Sequence, residues 1–427
     1  MTAKSTRRSW AAPFFTIWTG QAFSLLGSNL VQFALIWWLT AETQSEVVLA
    51  TAAMLASLPQ VFIGPFAGAL VDRWDRRRVL IIADSTIALA TLVLLFLNRA
   101  GVMQLWHIYL LMFVRAVGGC FHWPAMQAST SLMVPETQLA RVAGMNQTLN
   151  GAMSIAAPAL GALLVSLLPL HGVLAIDVGT ALFAIVPLFF IPIPQPEKRE
   201  SVGVRAPTVL QDLVSGFRYV WGWPGLFIVL MMAMLLNFLS APSFSLMPLL
   251  VTKYFGGEAL EIGALQSTLG VGLLVGGLTL SAWGGFRRKV VTSMAGIIGG
   301  GVGMLIVGMA PASFFWMAIV GIFVTGFMNP LINGPLMALV QARVDPQMQG
   351  RVFTLILSLA TLMTPVGLAA GGQLAARYGV SLWFVLAGVA MVGCGLLGFA
   401  LPAVMNMEDK PRPVSAAPEQ QPALDLA

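Results

Sequence analysis

Runs of mainly apolar residues, each of helical length, follow one another along almost the whole chain. They lie near 13–40, 47–71, 77–98, 104–133, 141–168 and 172–193, and again near 224–252, 260–283, 289–310, 313–341, 352–375 and 380–402. A helix needs roughly 20 such residues to cross the hydrocarbon core of a bilayer. In lipid every backbone polar group must be satisfied within the structure, which leaves helices or closed barrels. The runs therefore predict an all-α membrane protein with twelve transmembrane helices. Of the 427 residues, 58% are hydrophobic and 9% charged, against about 25% charged in soluble domains. That balance excludes a water-soluble enzyme, a disordered chain and a disulfide-rich secreted domain. Only short loops and one linker remain, with no room for a large soluble catalytic domain. The first run exceeds the 7–15 residue apolar core of a cleaved signal peptide and reads as a retained helix. Cys120 and Cys394 sit inside apolar runs without CxxC spacing and read as small packing residues.

Polar intervals divide the chain. Residues 1–12 form an N-terminal segment, 13–194 a first six-helix bundle, 195–223 a linker, 224–402 a second six-helix bundle and 403–427 a tail. In the linker Val209, Leu210, Leu213, Val214, Phe217 and Val220 recur at helical spacing between Asp212, Ser215 and Arg218, the pattern of an interfacial amphipathic helix. The tail carries Pro411, Pro413, Pro418 and Pro422 among few apolar residues and is expected to be disordered. With the N-terminus inside, nineteen of the 23 Lys and Arg fall in cytoplasmic segments. The positive-inside rule then makes both termini and the linker cytoplasmic, and the protein a multi-pass protein of the cell inner membrane. The halves also repeat. Val134-Pro-Glu-Thr-Gln-Leu-Ala-Arg141-Val142 matches Val344-Asp-Pro-Gln-Met-Gln-Gly-Arg351-Val352, and Arg76-Arg77-Arg78-Val79 matches Arg287-Arg288-Lys289-Val290. The two bundles are therefore expected to be pseudo-symmetric, as in transporters built from parallel repeats.

The densest motif is Gly64-Pro-Phe-Ala-Gly68-Ala-Leu70-Val-Asp72-Arg73-Trp-Asp75-Arg76-Arg77-Arg78. Gly64 and Gly68, four apart, suit close approach of a neighbouring helix. Asp72 among arginines at a helix end suits a contact with the positive N-terminal end of another helix, one that breaks and re-forms as the halves rock. The alternative is a positive cluster that only sets topology. This segment resembles the cytoplasmic loop signature of the major facilitator superfamily, with Gly68, Leu70, Asp72, Arg73, Arg76 and Arg77 in register. Asp75 stands at the usual second glycine, as in the branch similar to macrolide-efflux and enterobactin-exporter proteins, which Val134–Arg141 also resembles. The resemblance implies a gating loop at Gly68, Asp72, Arg73, Arg76 and Arg77. The second half lacks the acid, with Ser281, Trp283 and Gly284 at the matching turn, so the gate is expected to be asymmetric. Asp72 is expected to meet the start of the eleventh span near Gly350 and Arg351 when the cytoplasmic side is closed.

Arg115 lies about 14 Å into the membrane at 1.5 Å per residue. An intramembrane charge is a functional candidate by default. Leu111-x-x-x-Arg115-x-x-x-Gly119 resembles the family's fourth-helix motif, in which the arginine is linked to proton coupling, with Gly118 in place of the usual Gln. Asp84 and Asp177 are the acids inside spans, each about two turns from a surface. Either suits proton exchange, yet the resemblance puts helices three and six at the bundle periphery, which favours packing or anchoring roles. Pro158 and Gly161 in Ala157-Pro-Ala-Leu-Gly161-Ala resemble a degenerate antiporter motif and imply a helix hinge; the alternative is an ordinary proline kink.

Polar residues also align on helix faces: Gln21, Ser24, Ser28 and Gln32 in span one, and Thr325, Asn329 and Asn333 in span ten. Span four adds His122 and Met126 beside Arg115, and span seven adds Met231, Met234, Asn237 and Phe238. The resemblance makes spans one, four, seven and ten the cavity lining. Amides, Met and aromatics suit a bulky, largely apolar guest; interhelical hydrogen bonding is the alternative. His107, His122 and His171 have no metal spacing, and no Walker loop, GxSxG or HExxH is present. The expectation is a non-enzymatic secondary transporter, monomeric and working by alternating access. It would bind a small molecule within the lipid bilayer, bind no nucleic acid, and use no cofactor or metal but the proton gradient. Export of an amphipathic drug, macrolide or siderophore is the favoured task. The alternatives are a lipid or lysolipid transporter, a solute importer, or a non-transporting receptor or assembly factor.

Overall fold

A computed structural model describes residues 10–195 and 209–409. Helices account for nearly all of them: α1 Ala11–Thr43, α2 Glu46–Phe62, α3 Gly64–Arg73, α4 Arg76–Arg99, α5 Leu105–Met133, α6 Glu136–Leu167, α7 Leu170–Phe190 and α8 Val209–Trp221. After them come α9 Pro224–Ser245, the single turn α10 Met247–Leu249, a π-helical turn Leu250–Tyr254, and α11 Ala259–Trp283. The last are α12 Lys289–Met309, α13 Phe315–Arg343, α14 Pro346–Tyr378, α15 Ser381–Ala400 and the short α16 Pro402–Met405. Eleven of these helices are long and apolar enough to cross a membrane. The protein is an all-α, multi-spanning membrane protein.

The second of the twelve expected spans is not a continuous helix. It breaks at Ile63 into α2, of 17 residues, and α3. Pro65 has no N–H to donate to the preceding turn, and its ring disfavours helical backbone at Gly64. Local chemistry starts the other helices. The Ser45 hydroxyl accepts the Val48 N–H at the start of α2, and the Asp75 carboxylate accepts the Arg78 N–H, 2.9 Å away, at the start of α4. The Gln104 N–H donates to His107 Nδ1 and the Glu258 N–H to Glu261 Oε2, opening α5 and α11. Gly284 ends α11 at φ +78°, a left-handed turn that a Cβ would strain.

α1 packs on α6 and α7, α4 on α5 and α7, and α2 on α5. In the second half of the chain α12 packs on α13 and α15, α11 on α13, and α9 on α14 and α15. The two sets meet where α6 lies on α11 and α2 on α14. Both seams use small residues. A Cβ at Gly270 would sit 2.6 Å from Ser154 O, and one at Gly263 would sit 2.6 Å from the Ala162 methyl. One at Gly372 would sit 2.8 Å from that of Ala50. Ser267 donates to Ile155 O across the first seam.

One end of the helices collects Arg73, Arg76, Arg77, Arg78, Arg141, Arg287, Arg288, Lys289, Arg343 and Arg351, and is called the basic end below. At the opposite end the halves are tied directly. Lys253 Nζ lies 2.7 Å from Glu46 Oε1, and Thr252 donates to Gln44 Oε1. At the basic end α3 packs on α2, α4 and α5, within its own half. The amphipathic α8 lies on the start of α14, with Gly216 against Arg351 O, and leaves Val214, Phe217 and Trp221 exposed.

Candidate functional site: two polar layers and a divided cavity

Seven residues are close to two helical turns, so positions i and i+7 share a face. Three helices of the first half carry polar pairs at this spacing: Gln21 and Ser28 on α1, Asp84 and Thr91 on α4, Arg115 and His122 on α5. They stack into two layers about 10 Å apart along the helix axes. In the layer nearer the basic end, Gln21 Nε2 donates to Asp84 Oδ2 at 2.8 Å. His122 Nε2 lies 3.3 Å from Asp84 Oδ1 and 2.8 Å from Gln21 Oε1. In the deeper layer Arg115 Nη1 donates to Asp177 Oδ2 of α7 at 2.8 Å. Thr91 Oγ1 donates to the same oxygen at 2.8 Å, and Ser28 Oγ donates to Oδ1 at 3.2 Å. Arg115 also donates to Thr91 Oγ1.

The physical reason for these contacts is burial. Asp177 is 1% exposed and Asp84 is 4% exposed. A buried carboxylate without partners is costly, and a buried pair is tolerable only when its remaining hydrogen-bonding capacity is met. Asp84 and Asp177 both project into the interior of the first half: Asp84 is held from α1 and α5, and Asp177 from α1, α4 and α5. Thr91 is the member of the deeper layer that the sequence reading missed. Its signal was the seven-residue step from Asp84.

A cavity of about 430 Å³ adjoins the layers, lined by Gln21, Ser24, Ser28, Gln32, Asp84, Arg115 and His122 with Met112 and Gly119. A larger one, about 580 Å³, lies among α9, α12, α13 and α14, with Ala53 and Ser57 of α2 on its wall. It holds the expected Asn237, Thr325, Asn329 and Asn333, together with Met232, Met294, Met304, Met391 and Phe244. Nothing lining it is charged. Both volumes fall in the range of small-molecule sites.

Four expected lining residues lie elsewhere. Met126 packs with Ile17, Val71 and Leu188 at the basic end. Met231, Met234 and Phe238 do not line the cavities described here. The lining face of α9 runs through Val229, Met232, Ala233, Leu236, Asn237, Ser240 and Phe244. Asn237 and Ser240 mark this face, and Met231, Met234 and Phe238 lie off it.

The loop residues divide. Arg77 donates to Leu188 O and Phe189 O at the C-terminal end of α7, where unpaired carbonyls favour a cation. Arg76 is buried and Arg73 exposed. A Cβ at Gly68 would meet nothing within 4 Å, so no neighbouring helix approaches this glycine closely. The Asp72 side chain lies outside the described residues. In α6, helical through Pro158, Gly161 seats the Phe33 ring of α1: a Cβ there would lie 2.9 Å from it. Among the described residues no group of three or more His, Cys, Asp or Glu is placed to hold a metal ion.

A multi-spanning helical protein with this interior is a secondary transporter of small molecules, and its function is transport rather than catalysis. The transmembrane secretion effector family matches residues 10–427. Macrolide efflux protein A of Streptococcus pyogenes is 35% identical over 384 residues, covering 90% of this chain and 94% of that protein. The multidrug efflux pump Tap of Mycolicibacterium fortuitum is 26% identical over 407 residues, covering 91% and 95%. Among solved structures, a mutant of the nucleoside transporter NupG has a TM-score of 0.70 at 14% identity, covering 91% of this chain and 98% of its own. A bacterial homologue of ferroportin in an inward-facing state has a TM-score of 0.61 at 16% identity, covering 90% and 99%. The chain belongs to the major facilitator superfamily, among the relatives of the macrolide-efflux proteins.

Proposed function

We propose that the protein is a proton-driven exporter of amphipathic small molecules. Twelve spans work as two six-helix halves, 13–194 and 224–402, that rock about a central site. The basic end and both termini are cytoplasmic, so the ties at the opposite end make this the inward-open arrangement. The observation that carries the reading is the pairing of an uncharged, Met-rich 580 Å³ cavity in one half with buried, hydrogen-bonded carboxylates in the other. Met side chains are unbranched and adaptable, which suits guests of varied shape. The macrolide and multidrug efflux proteins among the relatives favour export over import.

The two carboxylates have different tasks in this reading. Arg115 and Asp177 form an anchor whose charges stay paired. Asp84 exchanges protons, because its partners are an amide and an imidazole and its layer faces the 430 Å³ cavity. Arg73, Arg76 and the Asp72 loop close the cytoplasmic side against the start of α14 when the halves rock, with Pro158 and Gly161 giving α6 its freedom. The protein works as a monomer in the bilayer, without cofactor or nucleic acid. The test is substrate-induced proton flux in reconstituted vesicles, screened over macrolides, lipophilic cations and siderophores. Proton movement coupled to uptake of at least one amphipathic guest is expected. Guest movement indifferent to a collapsed pH gradient, or no guest that moves at all, overturns the reading.

A further inference from the structure

A third cavity, about 340 Å³, sits at the seam where α1 and α6 of the first half face α11 of the second. Four carboxamides line it: Asn29, Gln32, Asn150 and Gln266. Asn29 spends its amide N–H on Leu25 O of its own helix. Gln32, Asn150 and Gln266 make no hydrogen bond to the protein. Each belongs to a different helix and lies within a span. Gln32 is exposed and Asn150 and Gln266 are half-buried, so all three present their hydrogen-bonding groups to the cavity. Intramembrane polar groups facing a cavity mark a binding path. The remaining lining is apolar, led by Phe33, Met153 and Pro158, and contains no charged residue.

We infer that this cavity is a subsite for an uncharged, hydroxyl-rich group of the guest, such as a glycosyl ring. Each carboxamide offers a donor and an acceptor at once, as each hydroxyl does, so three amides on three helices match a ring bearing several hydroxyls. A cation or carboxylate would find no counter-charge. The apolar wall suits the C–H faces of the same ring. Asn29 and Gln32 also line the 430 Å³ cavity, so the subsite is continuous with the interior of the first half. Because Asn150 and Gln266 come from opposite halves, a bound ring bridges the α6–α11 seam, and its occupancy reports on that seam directly. The inference rests on the transporter reading and adds to it the chemistry of the guest's polar part.

The experiment is equilibrium binding to the full chain in phosphatidylcholine nanodiscs, where no hydroxylated lipid headgroup competes. The probes are a macrolactone bearing a single uncharged hexose and the same macrolactone without it. Wild type is expected to bind the glycosylated compound about tenfold more tightly. Gln266→Met and Asn150→Leu, measured separately on monodisperse protein, are each expected to bring that ratio close to one by weakening the glycosylated compound. Gln32→Met is the third variant, so that a fold defect in one leaves the others to decide. A ratio unchanged in the variants, equal weakening of both probes, or wild type that binds neither overturns the subsite. Binding that discriminates between the probes without any proton-coupled transport upholds the subsite and rejects the exporter reading.

Discussion

The two halves share their helix ends and differ in their interiors. Val134–Val142 and Val344–Val352 are related copies at equivalent turns, and so are the basic turns after α3 and α11. Even there the detail has moved. In the first half Asp75 caps α4 from within its own turn. The second half has no acid at that turn, and Glu408 supplies the carboxylate instead, accepting the Val290 N–H at 2.8 Å from beyond α16. Inside, the first half is cross-linked through two buried carboxylates: Asp177 pairs with Arg115, and Asp84 bonds Gln21 and lies 3.3 Å from the His122 ring. The second is joined by backbone contact. A Cβ at Gly276 would sit 2.0 Å from Phe327 O, and one at Gly303 would sit 2.7 Å from Gly321 O. Glycine also lets α1 approach α7 at Gly20 in the first half, so close packing is common to both and charge is what separates them. The turn sequences are alike in the two parts of the chain, while the interior chemistry is divided between them.

The sharpest way to break this contrast is to remove the cation from the deeper layer. Arg115→Met leaves Asp177 buried beside Thr91 and Ser28 alone. Breaking a buried pair on one side costs about 3–5 kcal/mol. A large fall in thermal midpoint is expected in detergent or nanodiscs, and Arg115→Met with Asp177→Leu is expected to recover most of it. A single variant as stable as wild type would show that charge does not organise the first half.

The matching test in the second half is Gly276→Val. Its side chain would meet the Phe327 backbone, which has no rotamer to yield. Overpacking of this kind costs about 1–3 kcal/mol. Gly118→Ala in the first half meets mainly the Ile87 side chain, which can turn aside, so a smaller loss is expected there. Equal losses in a thermal-shift comparison would erase the distinction between backbone and side-chain contact.

Asp84→Asn separates function from stability. The amide keeps an acceptor for Gln21 and changes the volume little, so the fold should hold. About a tenfold loss of pH-gradient-driven accumulation is expected, equivalent to about 1.4 kcal/mol. Arg115, the other charged group lining the same cavity, is already paired with Asp177, and His122 alone faces Asp84 with a titratable ring. Full gradient dependence in Asp84→Asn, with loss in His122→Gln, would move proton exchange to the imidazole.

Much of this architecture is legible from the sequence because lipid enforces it. Apolar run lengths place most helix ends to within a few residues, since an unpaired backbone cannot cross the bilayer, but the run 224–252 breaks after Ser245 and α14 starts at Pro346, ahead of the run 352–375. The break in the second span was also encoded, in Pro65 after Gly64, but hydropathy alone passes over it. The polar layers were half legible. Arg115, Asp84 and Asp177 stand out as charges inside spans, while their partners depend on which helix faces are juxtaposed across separations as large as 149 residues in Ser28–Asp177. The seven-residue steps on α1, α4 and α5 carried that information. On α9 Asn237 and Ser240 mark the lining face, which differs from the one through Met231, Met234 and Phe238. The amides Asn150 and Gln266 were invisible for another reason: they lie on different helices, and only the α6–α11 seam brings them together.

The smallest effect is expected where the halves are tied by exposed charge rather than by the seams. Lys253 Nζ and Glu46 Oε1 are 2.7 Å apart, with the lysine side chain 40% exposed and the glutamate 13% exposed. Pairs as open to water as this contribute about 0.2–1 kcal/mol. Lys253→Met should therefore leave the thermal midpoint within about a degree or two of wild type. The pair does, however, exist only while the end opposite the basic one is closed, so the whole of its small energy falls on one side of the conformational equilibrium. About 0.6 kcal/mol corresponds to a threefold population shift at 25 °C. Accessibility of a cysteine placed at Gln44 to an impermeant thiol reagent, in a background lacking Cys120 and Cys394, should rise by about that factor. In 0.5 M salt the difference between wild type and Lys253→Met should shrink, because screening weakens the wild-type pair and raises wild-type accessibility while leaving the variant unchanged. A shift of tenfold or more would mean that charge governs this end as strongly as it governs the interior of the first half; no shift would leave the closed end to the Gly263, Gly270 and Gly372 contacts alone.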